Sequence, residues 1–120
     1  MHLDHINIRC SDLPATIGFL QAALGLYIGK RPPFSFDGAW LYDESGRAVV
    51  HLVVAAQPPG AAGAVDHVAF RYDDLSAQLA HLAALGYPCT PRRIPGTEIH
   101  QGFIDGPDGV KFEFQGPLTT

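Results

Sequence analysis

Apolar and polar residues alternate from Leu3 to Arg9, with Ile6 and Ile8 to one side and His5, Asn7 and Arg9 to the other. A period of two predicts a strand with one buried face over residues 3–9. The period then lengthens. Ile17, Leu20 and Leu24 recur at helical spacing and predict a core-facing stripe. Ser11 or Asp12 caps that helix and Pro14 falls in its first turn, where a missing N–H costs little. Gly25 is its stop. Residues 26–31 form a strand that ends at Pro32-Pro33, and 39–42 form the next. Asp43-Glu44-Ser45-Gly46 is a turn by composition, leading to a strand over 48–54 with Val49, His51 and Val53 on one face. The unit reads βαβββ.

The second half replays the first. Val65-Asp66-His67-Val68-Ala69-Phe70-Arg71 repeats Leu3-Asp4-His5-Ile6-Asn7-Ile8-Arg9, and the two histidines stand 62 positions apart (67 − 5). The same offset carries His51 onto Glu113 and Asp43 onto Asp105. After the strand over 65–71, Asp73 or Asp74 caps a helix with Leu75, Leu79 and Leu82 on its stripe, and Gly86 ends it. Residues 87–93 form an irregular edge strand, disturbed by Pro88 and Pro91. A loop over 92–97, a strand over 99–104, a turn over 106–109 and a strand over 110–115 complete the unit. In the last strand Lys111, Glu113 and Gln115 share one face, and Phe112 and Phe114 take the helix side. From Gly116 onward the tail is expected to be loose. Module 1–56 and module 64–120 are joined by the Pro- and Gly-rich linker 57–63. Each module is too small to close a core alone, so 1–120 is one α+β domain.

Nearly half of the residues are apolar (47%), which suits a compact globular chain rather than a disordered one. A net charge of −4 gives no basic footprint for nucleic acid. Cys10 and Cys89 are not a repeat pair and are expected to be reduced thiols. With no leader-like segment and no long apolar run, the protein is expected to be cytoplasmic and to have no membrane partner.

Candidate chemistry follows from the duplication. His5, His51, His67 and Glu113 are metal-ligand types at two pairs of equivalent positions, each on a strand with apolar neighbours. Three imidazoles and a carboxylate suit a borderline divalent ion: Zn²⁺, Ni²⁺, Co²⁺, Mn²⁺ or Fe²⁺. Four protein ligands on an octahedral ion leave two positions for a substrate that chelates through adjacent oxygens. His51 is either a ligand or a hydrogen-bond donor in the cavity. Without it, His5, His67 and Glu113 are the 2-His-1-carboxylate set of non-haem Fe(II). Arg9 and Arg71 repeat each other; they either bind an anionic substrate group or pair with acidic residues at the rim. Trp40 is a candidate wall for a ring substrate and His100 a candidate substrate contact, whereas His2 and His81 are surface residues by position. No phosphate-binding loop, nucleophile elbow or Cys-x-x-Cys pattern is present.

Asp4-His5-Ile6, Leu24-Gly25-Leu26, Asp66-His67-Val68-Ala69-Phe70, Leu85-Gly86-Tyr87 and the run from Asp105 to Phe114 together resemble the vicinal oxygen chelate superfamily. That superfamily includes glyoxalase I, extradiol dioxygenases, methylmalonyl-CoA epimerase and the fosfomycin and bleomycin resistance proteins. The resemblance implies two βαβββ modules curled into a half-open barrel around a metal, and a homodimer. It implies His5 and His67 as first-strand ligands and Glu113 as the last-strand carboxylate. His51 stands where glyoxalase I has a carboxylate and the epimerase a glutamine; a neutral imidazole is a good ligand there but does not replace a carboxylate that shuttles protons beside the metal. Glu113 and His51 are the catalytic candidates, with Glu113 the proton carrier. The implied activity is that of a metal-dependent lyase or isomerase. A ring-cleaving dioxygenase is the alternative, and a non-catalytic drug-sequestering protein of the bleomycin resistance type is another.

Overall fold

The computed structural model describes residues 2–55 and 67–119. The expected linker 57–63 and the first two positions of the strand over 65–71 lie outside the described residues. The chain divides into two compact units, Met1–Ala61 and Ala62–Thr120.

In the first unit, β1 (Ile6–Cys10) buries Ile8 and Cys10 and exposes Asn7 and Arg9. Asp12 caps α1 (Leu13–Leu24), its Oδ1 accepting from the Ala15 N–H at 3.0 Å, and Gly25 closes the helix at φ 70°. The buried stripe of α1 is Thr16, Phe19, Leu20 and Ala23, while Ile17 and Leu24 are half-buried. The expected stripe is therefore rotated by one residue. Small Thr16 and Ala23, a turn either side of Leu20, occupy the line of closest approach, and the bulkier residues flank it. β2 (Tyr27–Gly29), β3 (Gly38–Tyr42) and β4 (Ala48–Val54) follow, in the sheet order β1-β4-β3-β2 with only β1 and β4 parallel. Leu41, Val50 and Leu52 are buried on the helix side. The turn between β3 and β4 is held by Asp43 Oδ1, which accepts from Ser45 Oγ, the Ser45 N–H and the Arg47 N–H.

The second unit repeats this order. β5 (Val68–Arg71) leads to α2 (Leu75–Ala84), capped by Asp74 Oδ1 on the Ala77 N–H and followed by Gly86 at φ 94°. β6 (Arg92–Arg93), β7 (Ile99–Asp105), a 3-10 turn (Pro107–Gly109) and β8 (Lys111–Pro117) complete it, in the order β5-β8-β7-β6. Leu75, Leu82, Ile104, Phe112 and Phe114 form the core on the helix side.

Two expectations fail here for identifiable reasons. The strand expected over 87–93 shrinks to two residues, because Pro88 and Pro91 have no N–H for a ladder. The tail is not loose through Thr119. β8 continues through Gly116 opposite His100, the Thr119 N–H donates to Ser76 Oγ at 2.9 Å, and Thr119 Oγ1 donates to Asp74 Oδ1 at 2.6 Å. Gly116 reads as a breaker, yet only glycine fits there. A Cβ would lie 2.2 Å from the Tyr72 carbonyl oxygen.

The duplication survives in the pairing register. Asn7 faces His51 and Ala69 faces Glu113, the same pairing 62 residues on. Within β3 and β7 the equivalence slips by one. Trp40 faces His51 and Phe103 faces Glu113, so these two match at an offset of 63 (103 − 40). A register shift beside Leu41 and Tyr42 absorbs the extra residue. The Asp43–Asp105 pair therefore does not mark equivalent places: Asp43 lies in its turn, and Asp105 pairs with Lys111. Among the described residues no helix is long and apolar enough to cross a membrane, and neither Cys10 nor Cys89 forms a disulfide.

Candidate metal centre

In the first unit His5 stands one residue ahead of β1, and its Nδ1 lies 2.7 Å from Asp4 Oδ2. In a neutral ring that bond keeps the proton on Nδ1 and leaves the lone pair on Nε2. The same bond holds the Asp4 carboxyl below its ordinary value. Asp4 is thus the residue that aims His5. The sequence shows it only as part of the repeated Asp-His pair.

His51 lies in a stack. The His5 ring covers one face at 3.7 Å and the Trp40 ring the other at 3.9 Å, both within 11° of parallel. Its Nε2 is 3.1 Å from the Ala48 carbonyl, which places a proton on Nε2 and the lone pair on Nδ1. Burial between these rings pushes its pKa below 6.5. The nearby His5 charge adds to this, and the Ala48 hydrogen bond opposes it. An imidazole holds a metal in its own ring plane. Two parallel planes 3.7 Å apart share no such point, so as the rings stand only one of the pair can present a lone pair to a given ion. Asp4 selects His5. His51 joins only if its ring turns out of the stack and releases Ala48.

The lowered pKa carries a sign. The folded state prefers neutral His51, so its contribution to stability is complete above the unfolded value of 6.5 and is lost as pH falls through the lower, folded value. Chelator-treated protein is expected to lose melting temperature below about pH 6.5, and His51→Phe, which keeps a ring in the stack, is expected to flatten that part of the profile. Identical profiles for the two proteins would contradict the assignment.

In the second unit His67 stands one residue ahead of β5, and its Nε2 lies 3.3 Å from Glu113 Oε1. Two ligand atoms each about 2.1 Å from one ion, at angles between octahedral and tetrahedral, lie about 3.0–3.4 Å apart. The spacing in the structure is that of neighbouring ligands. Glu113 is only 5% exposed, and a buried carboxylate needs partners. Gln115 Nε2 donates to Glu113 Oε2 at 2.9 Å, and Arg71 Nη2 donates to Gln115 Oε1 at 2.8 Å. This chain fixes one oxygen of Glu113 and leaves the other toward His67. The Phe103 and His67 rings meet near perpendicular, their centres 5.5 Å apart.

Arg71 thus acts through Gln115. Arg9 lies exposed on β1 opposite Val53, and Trp40 has one ring face on His51. His100 alternates with Gln101 and so takes the helix side of β7 with Gly102 and Ile104, away from the Glu113 face. Its Nδ1 is buried without a partner. Among the described residues no group of three or more His, Cys, Asp or Glu side chains converges as an ion's ligands would. Within each unit the donor types, imidazole in the first and imidazole with carboxylate in the second, are those a borderline divalent ion takes. Phe103 and Gln115 were not legible as site residues. The 62-residue offset sets Phe103 against Leu41 rather than Trp40, and Gln115 against apolar Val53.

The family model described as Glyoxalase/Bleomycin resistance protein/Dioxygenase superfamily matches residues 2–114. A lactoylglutathione lyase from Haemophilus influenzae is 27% identical, over 95% of this chain and 91% of its own length. Among solved structures, a glyoxalase family protein from Enterococcus faecalis superposes with a TM-score of 0.75 at 22% identity, covering 95% of this chain and 96% of its own. The fosfomycin resistance protein FosX from Listeria monocytogenes gives 0.75 at 16% identity, covering 99% and 95%. At such identities the structural likenesses show the fold alone.

Proposed function

The chain belongs to the Glyoxalase/Bleomycin resistance protein/Dioxygenase superfamily, and from that membership we propose that it is a metal-dependent lyase or isomerase acting on a small organic substrate with two adjacent oxygens. The observation that carries the reading is the 3.3 Å approach of His67 Nε2 to Glu113 Oε1, with Glu113 held from behind by Gln115 and Arg71. His5, His67 and Glu113 would hold the ion, Zn²⁺, Ni²⁺, Co²⁺, Mn²⁺ or Fe²⁺, with His51 a fourth ligand once its ring turns. When bound, such an ion supplies Lewis acidity to the chelated oxygens.

The protein's own groups do the rest. Asp4 fixes the His5 tautomer and so the direction of Nε2. Gln115 occupies Glu113 Oε2, so Oε1 is the oxygen that would hold the ion and, once released from it, the one that takes a proton from substrate. His51, kept neutral by its burial, offers Nδ1 as a second acceptor. Trp40 stacks on His51 in the first unit, and Phe103 meets His67 in the second. The reading carries a homodimer with it; sedimentation showing only monomer at micromolar concentration would count against that part.

A second reading is favoured by the tie of His51 Nε2 to Ala48. It leaves a 2-His-1-carboxylate set, which suits Fe(II) and ring cleavage of a catechol with dioxygen. Chelator-treated protein reloaded with each ion and assayed with hemithioacetals and with catechols separates the two. Isomerisation of a hemithioacetal under Zn²⁺, Ni²⁺ or Co²⁺ is the expected result. Oxygen uptake with a catechol under Fe²⁺ alone moves the assignment to the dioxygenase, and inertness toward both under every ion contradicts an enzyme of either type.

A further inference from the structure

The sheet of the second unit carries a polar row that the metal centre does not use up. Arg71 pairs with Gln115, Gln115 with Gln101, and Gln101 with Arg92, so one residue from each of β5, β8, β7 and β6 lies in register. Directly paired residues point to the same side, and this is the Glu113 side. Gln115 is engaged with both Arg71 and Glu113. At the other end, Gln101 and Arg92 line a hollow of about 410 Å³ together with Pro88, Cys89, Thr90 and Phe103. Its origin is local. Pro91 keeps β6 from beginning before Arg92, and residues 88–90 run past β7 without pairing to it.

The first unit shows what this position looks like when filled. Gly29 faces Trp40, so Arg31 falls beside Gly38 as Arg92 falls beside Gln101. Arg31 is satisfied internally. Its Nη2 donates to the Phe36 carbonyl at 2.6 Å, and its guanidinium lies 5.3 Å and 5.2 Å from the Phe34 and Phe36 ring centres. The Arg92 guanidinium has no such cover; no hydrogen bond or ion pair engages it among the described residues. In a chain of net charge −4, an unpaired guanidinium over a hollow is a local attractor for an anion.

We propose that this hollow is a carboxylate subsite, in which Arg92, with Gln101 and Thr90, binds the anionic end of a small organic acid whose flat stem lies on Phe103. Guanidinium and carboxylate match as a two-pronged pair. The Gln101 amide and the Thr90 hydroxyl add donors, and Phe103 is an apolar wall, 40% exposed, that also meets His67. The volume is within the range of small-ligand sites, about 300–1,000 Å³. Phe103 faces Glu113 directly, and Gln101 is two residues along the same strand, roughly 7 Å away. The inference rests on the proposed function for the other end of the molecule. The substrate's charged group is then separated by roughly that distance from its chelating oxygens, about the length of one aromatic ring with its substituents.

Calorimetric titration with 3,4-dihydroxybenzoate and with its neutral amide, 3,4-dihydroxybenzamide, tests this on the Co²⁺-loaded protein at low ionic strength. The acid is expected to bind at least tenfold more tightly than the amide, with the difference shrinking as salt is added. Arg92→Met is expected to bring the acid down to the affinity of the amide, and Arg92→Lys to keep part of the preference. An acid that binds no tighter than the amide, an acid that does not bind at millimolar concentration, or a preference that survives Arg92→Met overturns the proposal. Both probes chelate alike. Affinities that ignore Co²⁺ for both would count against the metal reading and leave the acid–amide comparison intact.

Discussion

Replacing Glu113 by Gln is expected to weaken Zn²⁺ or Co²⁺ binding by more than the 10- to 100-fold that loss of an outer partner usually costs. The side chain keeps its shape, and its amide oxygen can still accept from Gln115 Nε2, so the fold should persist. What disappears is the negative charge beside His67 Nε2. The metal-free variant is expected to melt no lower than the metal-free parent, because an ionised carboxylate only 5% exposed is costly to desolvate. This separates two roles. If Glu113 served only to satisfy His67, Glu113→Gln would lower the stability of the metal-free protein and leave metal affinity unchanged. Titration calorimetry and thermal melts on the same preparations read both quantities.

Phe114→Ala is expected to cost about 3–5 kcal/mol, the usual range for deleting a buried aromatic ring. Phe114 is fully buried at the centre of β8, between Phe70 on β5 and Gly102 on β7, with the Tyr72 ring 6.0 Å away. Whole-domain stabilities run to about 5–15 kcal/mol, so the variant should melt more than about 10 °C lower. The loss reaches the site as well. Glu113 and Gln115 flank Phe114 on the opposite face, and a slack β8 releases the Arg71–Gln115–Glu113 chain. Phe114→Leu, which leaves a smaller gap, should cost less and keep metal affinity. A Phe114→Ala protein that melts within a few degrees of the parent would contradict the placement of the core.

The strands and helices were legible because two different signals agreed. The Asp-His repeat gave the period of the whole chain, and the capping aspartates Asp12 and Asp74, with Gly25 and Gly86, marked both helices. What escaped was set by geometry across strands. The Trp40–Phe103 match depends on a register shift that a constant offset conceals. Gly116 looked like an end because its reason to be glycine, the Tyr72 carbonyl, lies on another strand. The ligand types were legible from the repeat. The tautomers were not, because they follow from Asp4 and Ala48, and neither is marked as a partner by composition. Likewise Arg31 and Arg92 look alike in sequence and differ in the structure by the cover of Phe34 and Phe36.

His5, His67 and Glu113 are proposed as the ligands of a divalent ion. Titration of chelator-treated, untagged protein with Zn²⁺, Ni²⁺, Co²⁺, Mn²⁺ and Fe²⁺, followed by calorimetry and by melting temperature, tests this most directly. One ion bound per chain is expected for at least one of these metals. A stabilisation of about 2.7 kcal/mol is expected at a hundredfold excess over Kd, abolished by His5→Ala and by Glu113→Ala and reduced less by His51→Ala. No heat and no shift in melting temperature with any of the five ions would contradict it.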